Sequence, residues 1–367
     1  MKNLYLIFFI IFIVSCPYWS DSNNPKIQDY PLNMVNLNTQ YDDYNSMAPP
    51  PENTDIKFIY STNRFSAGEI YRVGRGNFNL SWEDSSSIFG EQEGQLLVKD
   101  EFEGRYDFPC SVTNAGNIFG PAVYSDALPY KFIPYPYKYK DELPPKIAEV
   151  TYNEDNFIDI DSKYLVYFYT TETTSGDYDI YYCTRNNPES KRVFFDSNDN
   201  EKYITISDNG VIYFSSDRNG KYNIYSLEMT KNADKYGAEV SGELSLSYWL
   251  DNFADNIEPK LVEELSDKTA DDTCPYAVND VLVFVSNRLG GQGGYDILKS
   301  SFDYSQQKWR KPMILPYPIN TKANEFRPSI YNLYGYNNSL MFFSSDRKGG
   351  KGGYDLYYTG IDFYYYK

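Results

Sequence analysis

Near its C-terminal end the chain repeats itself almost residue for residue. One copy reads Val283-Phe-Val-Ser-Asn-Arg-Leu-Gly-Gly-Gln-Gly-Gly-Tyr-Asp-Ile297, and the other Phe342-Phe-Ser-Ser-Asp-Arg-Lys-Gly-Gly-Lys-Gly-Gly-Tyr-Asp-Leu356. Each is an apolar β-rich run, a Ser-Asp/Asn-Arg step, a glycine-rich turn and a second apolar run. Glycine reaches positive φ without a Cβ penalty, so each copy predicts a β-hairpin. A lone hairpin is marginal in water, and several copies must therefore share a core.

Weaker copies lie upstream. Ile212-Tyr-Phe-Ser-Ser-Asp-Arg218 runs on to Ile224 through a shorter turn, and Phe58-Ile-Tyr-Ser-Thr-Asn-Arg64 runs on to Glu69, Ile70 and Tyr71. Tyr167-Phe-Tyr-Thr-Thr-Glu172, leading to Tyr178-Asp-Ile180, has lost the arginine. The aligned apolar residues are Ile70, Ile180, Ile224, Ile297 and Leu356, and the first step is about twice the others. Ala122-Val-Tyr-Ser-Asp126 stands where a degenerate extra copy belongs. The spacing thus predicts an all-β chain, a six-bladed β-propeller of four-stranded antiparallel blades. No linker divides the repeat and no long helical period interrupts it, which argues for one domain over 31–367.

A second echo bears on how such a ring closes. Ile319-Asn-Thr321, with Glu325 and Pro328, precedes the last hairpin, and Leu37-Asn-Thr39, with Asp43, precedes the first. The chain therefore begins partway through a repeat. Pro31 to Leu37 is expected to be a strand that completes the C-terminal blade and covers its free edge.

These residues resemble the TolB-type WD-like propeller repeat of bacterial envelope proteins. The match is close over Ser344–Tyr357 and Ser286–Ile297, good over Ser215–Tyr225, fair over Ser61–Tyr71, and poor over 122–132. The resemblance implies a scaffold that engages partner proteins of the envelope, among them peptidoglycan-associated lipoproteins. Propellers serve many functions, so the repeat fixes a fold more than an activity.

Lys2, the apolar run Leu4 to Val14 and Ile13-Val-Ser-Cys16 look like a lipoprotein signal peptide over 1–15, with Cys16 as the acylated residue. The apolar run is too short to span a bilayer. The polar stretch 16–30 reads as a flexible tether. The expected location is the bacterial envelope, anchored by lipid in the outer membrane, facing the periplasm or the surface, as a monomer. The net charge of −17 repels nucleic acid and excludes it as a partner. Cys110, Cys183 and Cys274 are expected to be free thiols, since the first and last fall on opposite sides of a six-fold ring.

The chain has no histidine. That removes Ser-His-Asp and Cys-His catalysis and histidine-bound metal. Catalysis by carboxylates alone stays open, although no pair stands out. The expectation is a chain that is not an enzyme and needs no cofactor or metal.

Asp179, Asn223, Asp296 and Asp355 occupy one slot of the repeat, with Glu69 in the first copy. An acidic ring of this kind can bind calcium. The reading preferred here is structural: the side chain accepts backbone N–H bonds of the adjacent turn, a job that asparagine also does. Arg64, Arg218, Arg288 and Arg347 also recur once per repeat and are expected to bridge a carboxylate or carbonyl. Among the 39 tyrosines, Tyr130, Tyr135, Tyr137 and Tyr139 form a proline-broken cluster suited to a loop contact with protein or sugar. The alternative to a scaffold is accordingly a surface glycan or peptide receptor that uses the funnel or this loop.

Overall fold

The computed structural model describes residues 24–47, 55–64, 67–68, 72–84, 87–96, 110–113, 122–126, 166–172, 175–184, 191–193, 195–207, 210–228, 250, 257–278, 280–333 and 335–362. These residues are organised in five sheets. The first holds, in order, Asp43–Met47, Asp55–Thr62, Arg72–Asp84 and Ser87–Leu96. The third holds Glu201–Ile206, Val211–Ser216, Asn223–Glu228 and Lys260–Leu261. The fourth is Asp272–Val278, Val281–Ser286, Asp296–Asp303 and Lys308–Trp309, with Met313–Ile314 also paired to Asp296–Asp303. All pairings within these three sheets are antiparallel.

The fifth sheet holds Glu325–Tyr331, Ser339–Ser345, Asp355–Ile361 and then Leu32–Asn33 from the other end of the chain. Leu32 pairs with Tyr358 and Asn33 with Tyr357, and the Met34 N–H donates to the Leu356 carbonyl at 3.0 Å. The strand expected within Pro31–Leu37 is thus present and edges the last hairpin.

The second sheet departs from expectation. Its order is Lys191–Arg192, Tyr178–Thr184, Val166–Glu172, Ala122–Asp126, Cys110–Thr113. Ala122–Asp126, expected as an extra blade, instead pairs in parallel with Val166–Glu172. Among the described residues there are five sheets, and the sixth unit is not found.

A further correction concerns the tether. Within the expected 16–30 segment, Asn24–Tyr30 is fastened to the fifth sheet. The Ile27 N–H donates to Asn338 Oδ1 (2.8 Å), Asn338 Nδ2 donates to the Ile27 carbonyl (2.7 Å), and the Gly360 N–H donates to the Gln28 carbonyl (2.6 Å). Ile27 is fully buried. Burial of one such aliphatic side chain contributes about 1.5–3 kcal/mol, which adds to these bonds in offsetting the entropy of ordering the segment.

Neighbouring sheets pack through aromatic and branched side chains. Phe58 and Phe78 of the first sheet meet Phe342 of the fifth at 5.4 and 5.1 Å, and Phe78 meets Tyr358 at 4.6 Å. One buried cluster joins the first, fourth and fifth sheets, a second joins the second and third, and a third joins the third and fourth.

Candidate functional site

The Ser/Thr-Asp/Asn-Arg step builds one corner in each of four sheets. The arginine grips the acid that opens the leading strand. Arg64 Nη2 lies 2.5 Å from Asp43, Arg218 Nη2 3.0 Å from Glu201, Arg288 Nη2 2.5 Å from Asp272 and Arg347 Nη2 3.1 Å from Glu325. The same Nη2 atoms donate to the carbonyls of Leu37, Phe195, Leu265 and Ile319 in the preceding connection. The hydroxyls of Thr62, Ser216, Ser286 and Ser345 accept from the arginine Nε. All four acids are fully buried. Planar guanidinium suits this many-partnered role where lysine would not.

The remaining motif residues tie each repeat to the next. Asn63, Asp217, Asn287 and Asp346 accept the backbone N–H of Asp42, Asn200, Asp271 and Asn324. Those four side chains in turn accept the N–H of Tyr354, Tyr178, Tyr222 and Tyr295, each in the repeat before. A Cβ at Gly293 would overlap the Thr321 and Ala323 carbonyls, and one at Gly352 the Thr39 and Tyr41 carbonyls. The second glycine pair of the turn is therefore where the following repeat comes closest.

The Asp/Asn slot is used unevenly. Asp296 Oδ2 accepts the N–H of Gln292 (2.7 Å) and Gly293 (3.4 Å). Asp355 accepts those of Lys351 (2.5 Å) and Gly352 (3.1 Å), with Asn33 Nδ2 at 2.8 Å. Asn223 Nδ2 donates to the Lys221 carbonyl. Asp179 has none of these bonds; its Oδ2 meets Arg192 Nε at 2.6 Å, and its Oδ1 accepts no hydrogen bond. Beside it stand Asp196 and Glu201, with one ligand oxygen of each within 4.8 Å of the others. Burial and the neighbouring Glu201 carboxyl push Asp196 up to about 9, and burial raises Asp179 above the usual carboxylate range despite Arg192.

Sequence reasoning missed the feature common to the leading strands. Two residues after each acid the chain turns left-handed, at Asn45 (φ 56), Tyr203 (φ 59), Cys274 (φ 54) and Arg327 (φ 52). The register slips at each of these points, a bulge that re-aims the side chains. None of the four is glycine, so composition carries no signal of the bend. Around them half-buried rings from four sheets form a continuous patch. Tyr44 lies 5.8 Å from Tyr354, Tyr354 6.3 Å from Phe326, and Phe326 6.0 Å from Tyr295 and 6.1 Å from Tyr203. The Arg327 guanidinium sits 4.2 Å from the centre of the Tyr203 ring. Burial pushes Tyr295 and Tyr354 up to about 12, so both phenols stay neutral hydrogen-bond donors.

Cys274 is buried and in no disulfide among the described residues. Cys16, the tyrosines at 130, 135, 137 and 139, and the side chains of Cys110 and Cys183 lie outside the described residues.

No family model and no curated protein matches the chain. Solved structures do resemble it. Fructan 1-exohydrolase IIa from Cichorium intybus has TM-score 0.37 and 10% identity, over 90% of this chain and 56% of that enzyme, so the chain spans little more than half of its length. A TolB-assigned protein from Agrobacterium tumefaciens has TM-score 0.34 and 10% identity, over 92% of this chain and 98% of that one. An α-L-arabinofuranosidase from Lactobacillus brevis has TM-score 0.42 and 9% identity, over 90% and 94%. The expectation that the chain is not an enzyme is corrected here, because two of these three similar folds are glycoside-cleaving enzymes and a fold of this type gives no ground to exclude catalysis. At these scores the likeness assigns this chain neither an activity nor a family.

Proposed function

We propose that the chain is a lipid-anchored propeller of the bacterial cell envelope that holds a partner protein on its aromatic patch. The observation that carries the reading is the patch itself: Tyr44, Tyr203, Tyr295, Phe326 and Tyr354 come from four sheets, are all half-buried, and meet ring to ring. Such rings offer apolar area and a hydroxyl at low entropic cost, the composition that marks protein contact sites. The sheets behave as blades of one ring. The first packs on the fifth and the second, the third on the second and fourth, and the fourth on the fifth. Described residues supply five such blades rather than six.

A photoreactive amino acid in place of Tyr44 tests the reading in intact cells, with the same label at exposed Lys308 on the outer edge as control. A polypeptide adduct at position 44 and none at 308 is expected. Capture at 308 alone, or none at either, would overturn the assignment; a carbohydrate adduct at 44 would turn it into the glycan-receptor alternative.

The anchor is tested separately. Cys16→Ser is expected to move the protein from the membrane fraction to the soluble one, and the wild type should carry the mass of acyl chains. Membrane retention of the variant, with an unlipidated wild type, would remove the envelope anchor from the proposal.

A further inference from the structure

The corner at Asp179 differs from those of the first and fifth sheets. Five residues before the leading acid, Asn38 and Asn320 each clamp a neighbouring strand. Asn320 accepts the Ile297 N–H at 2.8 Å and donates to the Ile297 and Leu315 carbonyls at 2.9 and 2.7 Å. Asn38 likewise accepts the Leu356 N–H at 2.9 Å and donates to the Leu356 carbonyl at 2.8 Å. The equivalent residue before Glu201 is Asp196. The backbone there follows the same course, since the Val193 N–H donates to the Ile180 carbonyl at 2.9 Å as Leu315 does to Ile297 at 3.0 Å. A carboxylate has no N–H to give those carbonyls.

What Asp196 does instead points to a ligand. Its side chain is only 3% exposed; Oδ2 lies against Arg192 Nη2, while no donor reaches Oδ1. Oδ1 of Asp179, whose side chain is 2% exposed, is also left without a donor. Three buried carboxyl groups face two guanidiniums, Arg192 and Arg218. Arg218 is committed to the corner through Glu201, Ser216 and the Phe195 carbonyl. Arg192 reaches both aspartates and donates to the Ser197 carbonyl at 2.7 Å, with its side chain 44% exposed.

We propose that Asp179, Asp196 and Glu201 form a binding site for a hard divalent cation of the calcium type. The donor set is carboxylate oxygen throughout, which suits calcium and gives no soft or imidazole ligand for zinc or copper. Water and neighbouring carbonyls complete a coordination shell of this kind. The cation occupies Asp179 Oδ1 and Asp196 Oδ1, the buried oxygens that no donor reaches.

The test is calcium chloride titration of the full chain by calorimetry, in about 0.15 M salt to screen the acidic surface, with melting followed in parallel. Wild type is expected to take up one saturable equivalent, with affinity in the roughly 0.1–1 mM range of extracellular modules, and to melt higher when loaded. Asp196→Asn restores the residue found at Asn38 and Asn320, so it should fold at least as stably without calcium. It should lose that equivalent, with affinity reduced at least about tenfold. Asp179→Asn is the second variant and should behave alike if Asp196→Asn proves insoluble. No saturable uptake by wild type, or uptake unchanged in either variant, overturns the site.

Discussion

A chain that starts at Asn38 is expected to lose several kcal/mol of stability against one that starts at Asn24, and to aggregate. The deletion removes Met34 and Leu37, both essentially fully buried, together with Ile27. At about 1.5–3 kcal/mol for each buried aliphatic side chain, the loss approaches the whole net stability of an ordinary domain, about 5–15 kcal/mol. It also strips Leu32–Asn33 from Asp355–Ile361 and leaves that strand's N–H and C=O groups as an open edge. A chain starting at Pro31 separates two contributions. It keeps the strand but loses Ile27 and its two bonds to Asn338, and should fall between the others. Urea midpoints and light scattering of the three chains measure the order. Equal midpoints would mean that this segment contributes nothing to the fold.

The second large effect concerns the buried corners. Glu325→Ala should destabilise by about 3–5 kcal/mol, because removing one partner of a buried pair strands the other charge. Arg347 would keep the Pro318 and Ile319 carbonyls but no anion, and the Thr321 N–H and hydroxyl and the Ser345 hydroxyl would lose their shared acceptor. Asp362→Ala is the contrast. It breaks the Lys26–Asp362 pair, whose side chains are 48% and 31% exposed, and should cost no more than about 1 kcal/mol. A shift in the denaturant midpoint with unchanged slope would report stability alone. If the two variants shifted alike, the corners would be no more than surface pairs.

Much of this architecture can be read in the residues because repetition exposes it. The glycine turns, the Ser-Asp/Asn-Arg step and the N-terminal echo at Asn38 all fall in comparable places in the structure. Other features escape for definite reasons. Strand pairing leaves no mark on spacing, which is why Ala122–Asp126 counts as a unit in the sequence and as one more strand of the second sheet in the structure. Ile27 is one apolar residue in a polar run, below what periodicity can detect, so the stretch reads as tether although it is bound. The left-handed bulges fall on asparagine, tyrosine, cysteine and arginine, where no composition rule looks for them. Asp196 hides because aspartate and asparagine are alike in shape and differ in what they donate. The patch at Tyr44 and Tyr354 is invisible in one dimension, since its members are far apart in the chain.

The bond from the Tyr354 N–H to Asp42 is the same bond as that from Tyr295 to Asn324, but it spans 312 residues rather than 29. Ring closure in a flexible chain grows in entropic cost with the logarithm of the span, so this tenfold difference adds only about 2 kcal/mol. The seam is therefore little weaker at equilibrium than its sister junctions, yet it stands apart in time. The others can form as soon as two adjacent repeats exist. This one needs the last repeat to be finished while the first still waits with an unclaimed face, and the interval before it forms is when the chain is most open to pairing with another copy.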